Sequence, residues 1–273
     1  MENVNPLPGL RLSVCLVTFN HEEYIDQALQ SVFDQRTSSK FELVVGDDGS
    51  SDRTPDIVMR SASKAPVHTR VIVQERNVGL VENFRRTFNA CRGDYVALLD
   101  GDDYWTDREK LEKQCQFLDL HSEYSMCFHN VEVLMPDGSY CKETYTGVDD
   151  QRDLTIEDLF QANPIATCSA VLRRRVLTEL PAWFESSIFE DWPLYMLYAE
   201  RGKIGYLRDV MGVYRNHGRG AWSGLSPEAQ ADAVVTFLNA MDAHLGGRHS
   251  DAIRACLSRH SERLAALQNC RRS

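Results

Sequence analysis

Residues 12–20 read LSVCLVTFN, and residues 41–55 read FELVVGDDGSSDRTP. Each opens with a short, apolar, β-branched run. The first stops at Asn20 and the second at Gly46, Asp47, Asp48 and Gly49. Such runs are the pattern of strands buried on both faces, as in a parallel sheet. Each is followed by a helical period. Ile25, Ala28, Leu29, Val32 and Phe33 recur at helical spacing within residues 21–35, and Thr54-Pro55 opens the next helix. Residues 67–74 (VHTRVIVQ) predict a third strand, and residues 81–91 a helix closed by Gly93. Residues 95–99 predict a fourth strand that runs into the acidic turn Asp100-Gly101-Asp102-Asp103. Strand alternating with helix predicts an α/β fold, a mostly parallel sheet with helices on both faces.

Beyond this point residues 108–120 predict a helix. The pattern weakens over residues 126–166, where MPDGSY marks a turn and the rest reads as hairpins and loops. Residues 171–180 and 193–201 predict helices. Ser226 then caps a helix with Pro227 at its first position and Val234, Phe237, Leu238, Met241 and Leu245 on one face. Gly246 and Gly247 stop it. Ile253, Cys256, Leu257, His260, Leu264 and Leu267 form the face of a second helix, so the chain ends in a helical hairpin.

Composition excludes several function classes. The 273 residues are 43% hydrophobic and 26% charged, an ordinary balance for a chain that buries a core. The formal net charge of −10 argues against nucleic acid as a partner, because phosphate backbones select basic surfaces. No apolar run approaches the roughly 18 residues of a membrane span. The N-terminal residues lack the basic region of a signal peptide, so a cytoplasmic location is expected. None of the eight cysteines forms a C-x-x-C pair, which predicts free thiols rather than a zinc or redox site.

Three polar clusters fall at predicted strand ends: Asn20, then Asp47 and Asp48, then Asp100, Asp102 and Asp103. Any one of them reads as a turn. Three converging on one sheet edge read as a site, because clustered carboxylates repel one another unless a cation sits among them. Neither a P-loop nor a G-x-G-x-x-G fingerprint occurs, so a phosphate partner must be held by metal and side chains. Asp48 is suited to a donor edge of a nucleobase, Asp100 to a ribose hydroxyl, and Asp102 to a Mg²⁺ or Mn²⁺ ion against a diphosphate. That division of labour describes a nucleotide-sugar site.

Residues 12–35 (LSVCLVTFNHEEYIDQALQSVFDQ), 41–54 (FELVVGDDGSSDRT), 77–105 (NVGLVENFRRTFNACRGDYVALLDGDDYW), 189–207 (FEDWPLYMLYAERGKIGYL) and 210–224 (VMGVYRNHGRGAWSG) resemble family 2 glycosyltransferases in order and spacing. The resemblance implies a GT-A, Rossmann-like domain over residues 1–225, with residues 226–273 as the helical hairpin. It further implies an inverting transfer from a nucleoside-diphosphate sugar to a hydroxyl acceptor with Mn²⁺ or Mg²⁺, in cell-surface polysaccharide or glycoconjugate synthesis. Carried over by position, Thr18, Phe19, Asp48, Asn77, Gly79 and Asp100 form the nucleotide-binding set. Asp102 ligates the metal, and His217 approaches metal or diphosphate. Asp191 is the catalytic base. Glu190, Trp192 and Trp222 are candidates for the acceptor or sugar site. The family's first strand commonly ends P-T-Y-N. Here Phe19 replaces the tyrosine; it stacks on a base without offering a hydroxyl, and UDP is the expected carrier.

Two rival readings use the same residue types. A sugar-nucleotidyltransferase needs a Gly-rich basic phosphate loop near its N-terminus, and none is present. A non-catalytic sugar-nucleotide-binding protein on the same scaffold has no need of both Asp102 and Asp191. Residues 248–273 carry six arginines against Asp251 and Glu262. A basic tail on an acidic chain predicts either a peripheral contact with anionic lipid, near a lipid-linked acceptor on the inner face of the membrane, or helices that cover the domain or pair two copies.

Overall fold

The structure, a computed structural model, describes residues 8–141, 145–146 and 153–270; the side chains at 261 and 263–270 lie outside that description, and the expected face positions Leu264 and Leu267 with them. Eight strands form one sheet: β1 (Leu10–Thr18), β2 (Lys40–Asp47), β3 (His68–Val73), β4 (Tyr95–Asp100), β5 (Tyr104–Trp105), β6 (Tyr124–Leu134), β7 (Val171–Arg173) and β8 (Lys203–Arg215). The helices are α1 (Ile25–Phe33), α2 (Thr54–Ala62), α3 (Leu80–Ala90), α4 (Lys110–Leu120), α5 (Ile156–Leu159), α6 (Asp191–Ala199), α7 (Pro227–His244) and α8 (Ser250–Cys270).

The strand order is β3-β2-β1-β4-β7-β6-β8-β5. Strands β3, β2, β1 and β4 are parallel, as their unbroken apolar runs predict. The other half is mixed: β7 is antiparallel to β4 and β6, β6 and β8 are parallel, and β5 is antiparallel to β8. Two apolar clusters fill the two faces. One lies under α1, α2 and α4, with Leu12, Val14, Leu16, Ile25 and Leu29 among its members. The other joins α3, α6 and the C-terminal hairpin through Phe84, Trp192, Phe237, Met241, Ile253 and Cys256.

The C-terminal hairpin folds as its caps predict. Ser226 Oγ accepts from Ala229 N at 3.2 Å, and Gly246 and Gly247 take positive φ after α7. Its apolar face shares the second cluster with α6. Of the tail's arginines, Arg248 pairs with Glu200, Arg254 with Asp251, and Arg259 donates to Phe160 O at 3.3 Å. No helix among the described residues is long and apolar enough to cross a membrane.

One predicted helix is absent. Residues 171–180 form β7, a short 3-10 turn at Arg174–Val176 and extended chain. Val171 and Leu172 pair on one side with Ala97 and Val96 and on the other with Cys127 and Met126, and the sheet overrides the local helical period. One long strand, β6, replaces the first part of what read as hairpin and loop, and β8, a second long strand, pairs with it. Inside β6 the polar pair His129 and Asn130 is buried, which breaks the alternation that would have marked the strand. The expected turn at MPDGSY is present, closed by a Leu134–Tyr140 bridge with Gly138 at φ 82°.

Lys110 is fully buried, its ammonium lies 3.9 Å from the Trp105 ring centroid, and Nζ has no hydrogen-bond partner. Burial lowers its pKa to about 7. An unfolded lysine titrates near 10.4, so between that value and about 7 the unfolded chain binds a proton that the folded chain does not. Stability contributed by neutral Lys110 is therefore lost as pH falls from about 10 to about 7 and is constant below. Lys110→Met is expected to stabilise the protein at neutral pH by roughly 1–3 kcal/mol and to flatten this slope. Denaturant melts of both proteins across pH 7–10 test it.

Seven cysteines have described side chains. All are unpaired, and all but Cys141 are buried.

Candidate active site

The parallel strands end level with one another. Thr18 pairs with Asp47 and Val17 with Asp100, so the ends of β1, β2 and β4 stand side by side. Strand β2 lies on one side of β1 and β4 on the other. Open α/β sheets bind ligands at such a reversal of strand order.

Asp47 and Asp48 differ in role. Asp47 holds its own turn: Oδ1 accepts from Ser50 N at 2.9 Å and Oδ2 from Ser50 Oγ at 2.6 Å. Asp48 reaches the next loop, accepting from Val78 N at 2.7 Å and from Gly79 N at 3.0 Å. Asn77 Oδ1 also accepts from Gly79 N at 3.0 Å. Gly49, at φ 68°, makes this contact possible, since a Cβ there would stand 2.6 Å from the carbonyl carbon of Arg76. Burial raises the Asp48 pKa, and the two backbone N–H bonds restrain the rise. Each Asp48 oxygen keeps a second lone pair for a ligand. Phe19, 38% exposed, directly follows Thr18 at this rim.

The acidic turn after β4 carries the second feature. Asp102 Oδ2 lies 2.9 Å from His217 Nε2 and 3.7 Å from His21 Nε2. One ligand atom from each of His21, Asp102 and His217 falls within 4.8 Å of the other two. Gly101 permits this closeness, because a Cβ there would meet Thr18 Oγ1 at 2.5 Å and His21 Nδ1 at 2.9 Å. Burial alone would raise the pKa of Asp102, but the His217 hydrogen bond and the charges of His21 and His217 outweigh it and the net shift is downward. Burial lowers the His21 pKa against the pull of Asp102, which favours the neutral imidazole that a metal binds. Two imidazole nitrogens and a carboxylate oxygen are a donor set that fits a divalent first-row ion such as Mn²⁺.

Arg215 fixes the turn. Its Nε donates to Asp102 O at 2.7 Å, and its backbone N donates to Asp103 Oδ1 at 2.8 Å. Asp103 is thus an internal anchor, 2% exposed, rather than a ligand facing outward. Beside His217, Tyr24, Arg215, Arg219 and the Met135–Pro136 turn line a cleft of about 270 Å³.

The third feature is the start of α6. Asp191 Oδ1 accepts from Trp192 N at 2.7 Å and Oδ2 from Asn163 Nδ2 at 2.7 Å. Burial pushes its pKa up to about 6, with those two bonds limiting the rise. Asp100 lies within electrostatic reach of both Asp102 and Asp191; burial raises its pKa first, and the two neighbouring charges add to it. Glu190 is 3% exposed and is likewise raised, by burial and then by Asp100 and Asp191. The strand-end acids and the α6 acids therefore form one electrostatic unit.

Trp192 takes the packing role. It is buried, gives its indole N–H to Leu159 O at 2.8 Å and rests against Phe237 at 5.5 Å between ring centroids. That is a correction to its candidacy for the sugar site: a ring enclosed in the core has no face to offer. Trp222 is 39% exposed and stands edge-on to Phe189 at 5.3 Å. Sequence reading passed over His21, Asn163 and Arg215. His21 carried a signal, a histidine directly behind the Asn20 that ends β1. Asn163 carried none, because it comes from a loop 28 residues before its partner.

Residues 13–180 match the family model Glycosyl transferase family 2. The chain belongs to glycosyltransferase family 2. This glycosyltransferase is 39% identical over 250 residues to an uncharacterised protein of Mycobacterium tuberculosis, covering 89% of the chain and 71% of that relative. It is 30% identical over 216 residues to TuaG of Bacillus subtilis, a protein named for teichuronic acid biosynthesis, covering 79% of the chain and 81% of the relative. Among solved structures, S. aureus TarS 1-349 in complex with UDP-GlcNAc aligns at a TM-score of 0.69 with 22% identity, over 92% of this chain and 72% of that one. Mannosyltransferase PcManGT from Pyrobaculum calidifontis, in complex with GDP-Man and Mn²⁺, aligns at 0.63 with 19% identity, over 98% and 78%. The fold of this glycosyltransferase is GT-A, and its metal-ligand cluster lies at the strand ends of that fold.

Proposed function

We propose that this glycosyltransferase inverts the anomeric carbon of a nucleoside-diphosphate sugar, a UDP-sugar first, in transfer to a hydroxyl of a glycan or lipid-linked acceptor. The observation that carries the reading is Asp191, a carboxylate with a pKa of about 6, fixed by Asn163 and by the Trp192 N–H. A weak hydroxyl nucleophile needs a base poised near neutrality and held in one orientation. Asp191 accepts the hydroxyl proton on a free lone pair as the oxygen attacks. Asn163 keeps the carboxylate from rotating. Glu190, beside it, is held toward its protonated form by burial and by the charges of Asp100 and Asp191.

The nucleotide is placed over Thr18, Phe19, Asp48 and the Asn77–Gly79 loop, with Phe19 stacking on the base and Asp100 toward the ribose. His21, Asp102 and His217 would hold the Mn²⁺ or Mg²⁺ ion. When bound, the ion supplies Lewis-acid neutralisation of the departing diphosphate. Trp222, exposed and edge-on to Phe189, is the aromatic offered to the sugar or the acceptor. The GT-A domain is placed by this reading at residues 1–225, followed by the hairpin whose α7 and α8 share the apolar cluster of α6. Since TarS was solved with UDP-GlcNAc and PcManGT with GDP-Man, the base is the first property to test.

A thermal-shift series with UDP-, GDP-, CDP- and dTDP-sugars, with and without Mn²⁺, is expected to give its largest rise for a UDP-sugar with Mn²⁺. At a ligand concentration about 100 times Kd the rise is roughly 5–10 °C for a domain of this size. A larger rise with another base reassigns the carrier. No rise with any donor removes the donor reading, and donor binding without turnover on any acceptor would favour the non-catalytic binding protein.

A further inference from the structure

A second cleft lies apart from the donor site. It lies at the opposite edge of the sheet, where β1 and β4 begin, and has a volume of about 620 Å³. Strand β4 begins at this cleft with Tyr95 and ends at the donor site with Asp100. The two sites are therefore on the order of 17 Å apart along the strand, at about 3.3 Å per residue.

Five arginines line the cleft, Arg11, Arg92, Arg173, Arg174 and Arg175, against only Asp94 and Asp119. The excess is three positive charges in a chain whose net charge is −10. Arg173 forms the floor. It is 7% exposed, and its guanidinium donates to the carbonyls of Tyr124, Leu118 and His121 and to the Tyr95 hydroxyl. All of these acceptors are neutral, and the Asp119 carboxylate reaches Arg173 only through the shared Tyr95 hydroxyl. Arg11 pairs with Asp119 at 2.5 Å, which also accepts from Tyr95 Oη at 2.6 Å. The Arg11 and Arg173 guanidinium groups each lie 5.5 Å from the Tyr95 ring centroid.

The remaining guanidinium groups lack protein acceptors. The side chains of Arg92, Arg174 and Arg175 have no ion pair or hydrogen bond among the described residues. The Nε–H groups of Arg11 and Arg174 are both shielded from water and both unpartnered. Three guanidinium side chains without a protein partner, in a field of three excess charges, call for an oxyanion. Guanidinium forks match phosphate oxygens in pairs. The volume admits a phosphate together with a small attached group, and a concave site of this size takes a discrete molecule in preference to a flat bilayer.

We propose that this cleft binds the phosphoryl group of a small phosphorylated ligand, at a site separate from that of the donor. This does not rest on the proposed transfer reaction. The probe is pyrophosphate, titrated calorimetrically into the full chain in metal-free buffer, where the His21–Asp102–His217 cluster holds no ion to attract it. The wild-type chain is expected to bind and to weaken as salt rises. The double variant Arg92→Gln/Arg174→Gln is expected to lose at least tenfold in affinity. Thr178→Asp, on the exposed rim, leaves every arginine in place and adds an opposing charge, so it is expected to weaken binding as well. Far-UV circular dichroism and unchanged UDP affinity in Mn²⁺ would establish that the variants are folded. A parallel flotation with phosphatidylglycerol vesicles distinguishes the source of the phosphate. Pyrophosphate binding lost in both variants supports the proposal. Equal pyrophosphate binding in wild type and variants, no binding in any, or arginine-dependent binding to vesicles alone overturns it.

Discussion

Asp191→Asn is expected to lower the transfer rate by roughly 10²–10⁴ while donor and metal affinity stay near wild type. The substitution keeps the shape and the hydrogen bond from Trp192 N but removes basicity. With its one oxygen kept toward Trp192 N, the amide turns an NH2 group toward Asn163 Nδ2, which donates to Asp191 Oδ2 at 2.7 Å in the wild type, so that bond is lost while the cap on α6 is kept. The loss belongs in kcat rather than KM for the donor. Asn163→Ala is expected to cost less, roughly tenfold, because the carboxylate remains and only its orientation loosens. The pKa of about 6 adds a pH signature. Its folded value is raised, so the base is lost by protonation as pH falls through 6, and the rate at pH 5 is expected to be about a tenth of that at pH 7. Because Glu190 and Asp100 titrate in the same cluster, the apparent value belongs to the group. A wild-type rate in Asp191→Asn, or a loss of donor binding large enough to account for the whole rate loss, would mean that another residue is the base.

Asp102→Asn is expected to abolish Mn²⁺-dependent nucleotide binding, with metal affinity falling by roughly 10² or more. The carboxylate is the one anionic ligand in the His21–Asp102–His217 cluster, and the amide that replaces it carries no charge. His21→Ala removes a neutral donor and is expected to cost roughly tenfold to a hundredfold. Direct titration of Mn²⁺, followed by electron paramagnetic resonance of the free ion, reads both without requiring activity. Equal Mn²⁺ affinity in wild type and Asp102→Asn would remove the metal assignment. Equal affinity in His21→Ala would confine the ligands to Asp102 and His217.

How far these sites were legible follows from how local their signals are. The parallel half of the sheet was readable because each strand is a contiguous apolar run with its polar stop at the same end, from Thr18–Asn20 to Asp47–Gly49 to Asp100–Asp103. The mixed half was not. Val171 and Leu172 obey a helical period in sequence, and only their partners in β4 and β6 make them a strand. In β6 the buried His129 satisfies Nδ1 against the carbonyl of its own neighbour Asn130 at 2.8 Å, a local fix that conceals a buried strand position behind a polar letter. Within the site, residues inside recurrent motifs were found and those that support them were not. Asn163 and Arg215 act on partners 28 and 113 residues away, and nothing in their own neighbourhoods encodes that contact. Trp192 erred in the other direction. Adjacency to Asp191 suggested a binding role, whereas a helix turns successive side chains by about 100°, so the neighbour of a site residue commonly faces the core.

The cysteine distribution makes this enzyme convenient to instrument. Among the described side chains Cys141 alone presents a thiol to solvent. Its neighbour Tyr140 meets the hydroxyl of Tyr104 at 3.2 Å, one residue past the acidic turn that holds Asp102. With Cys270 changed to serine, a maleimide dye placed on the native Cys141 becomes a single optical reporter beside the donor site. Ligand entry could then be timed by stopped-flow fluorescence with every proposed catalytic and metal-binding residue left in its natural form.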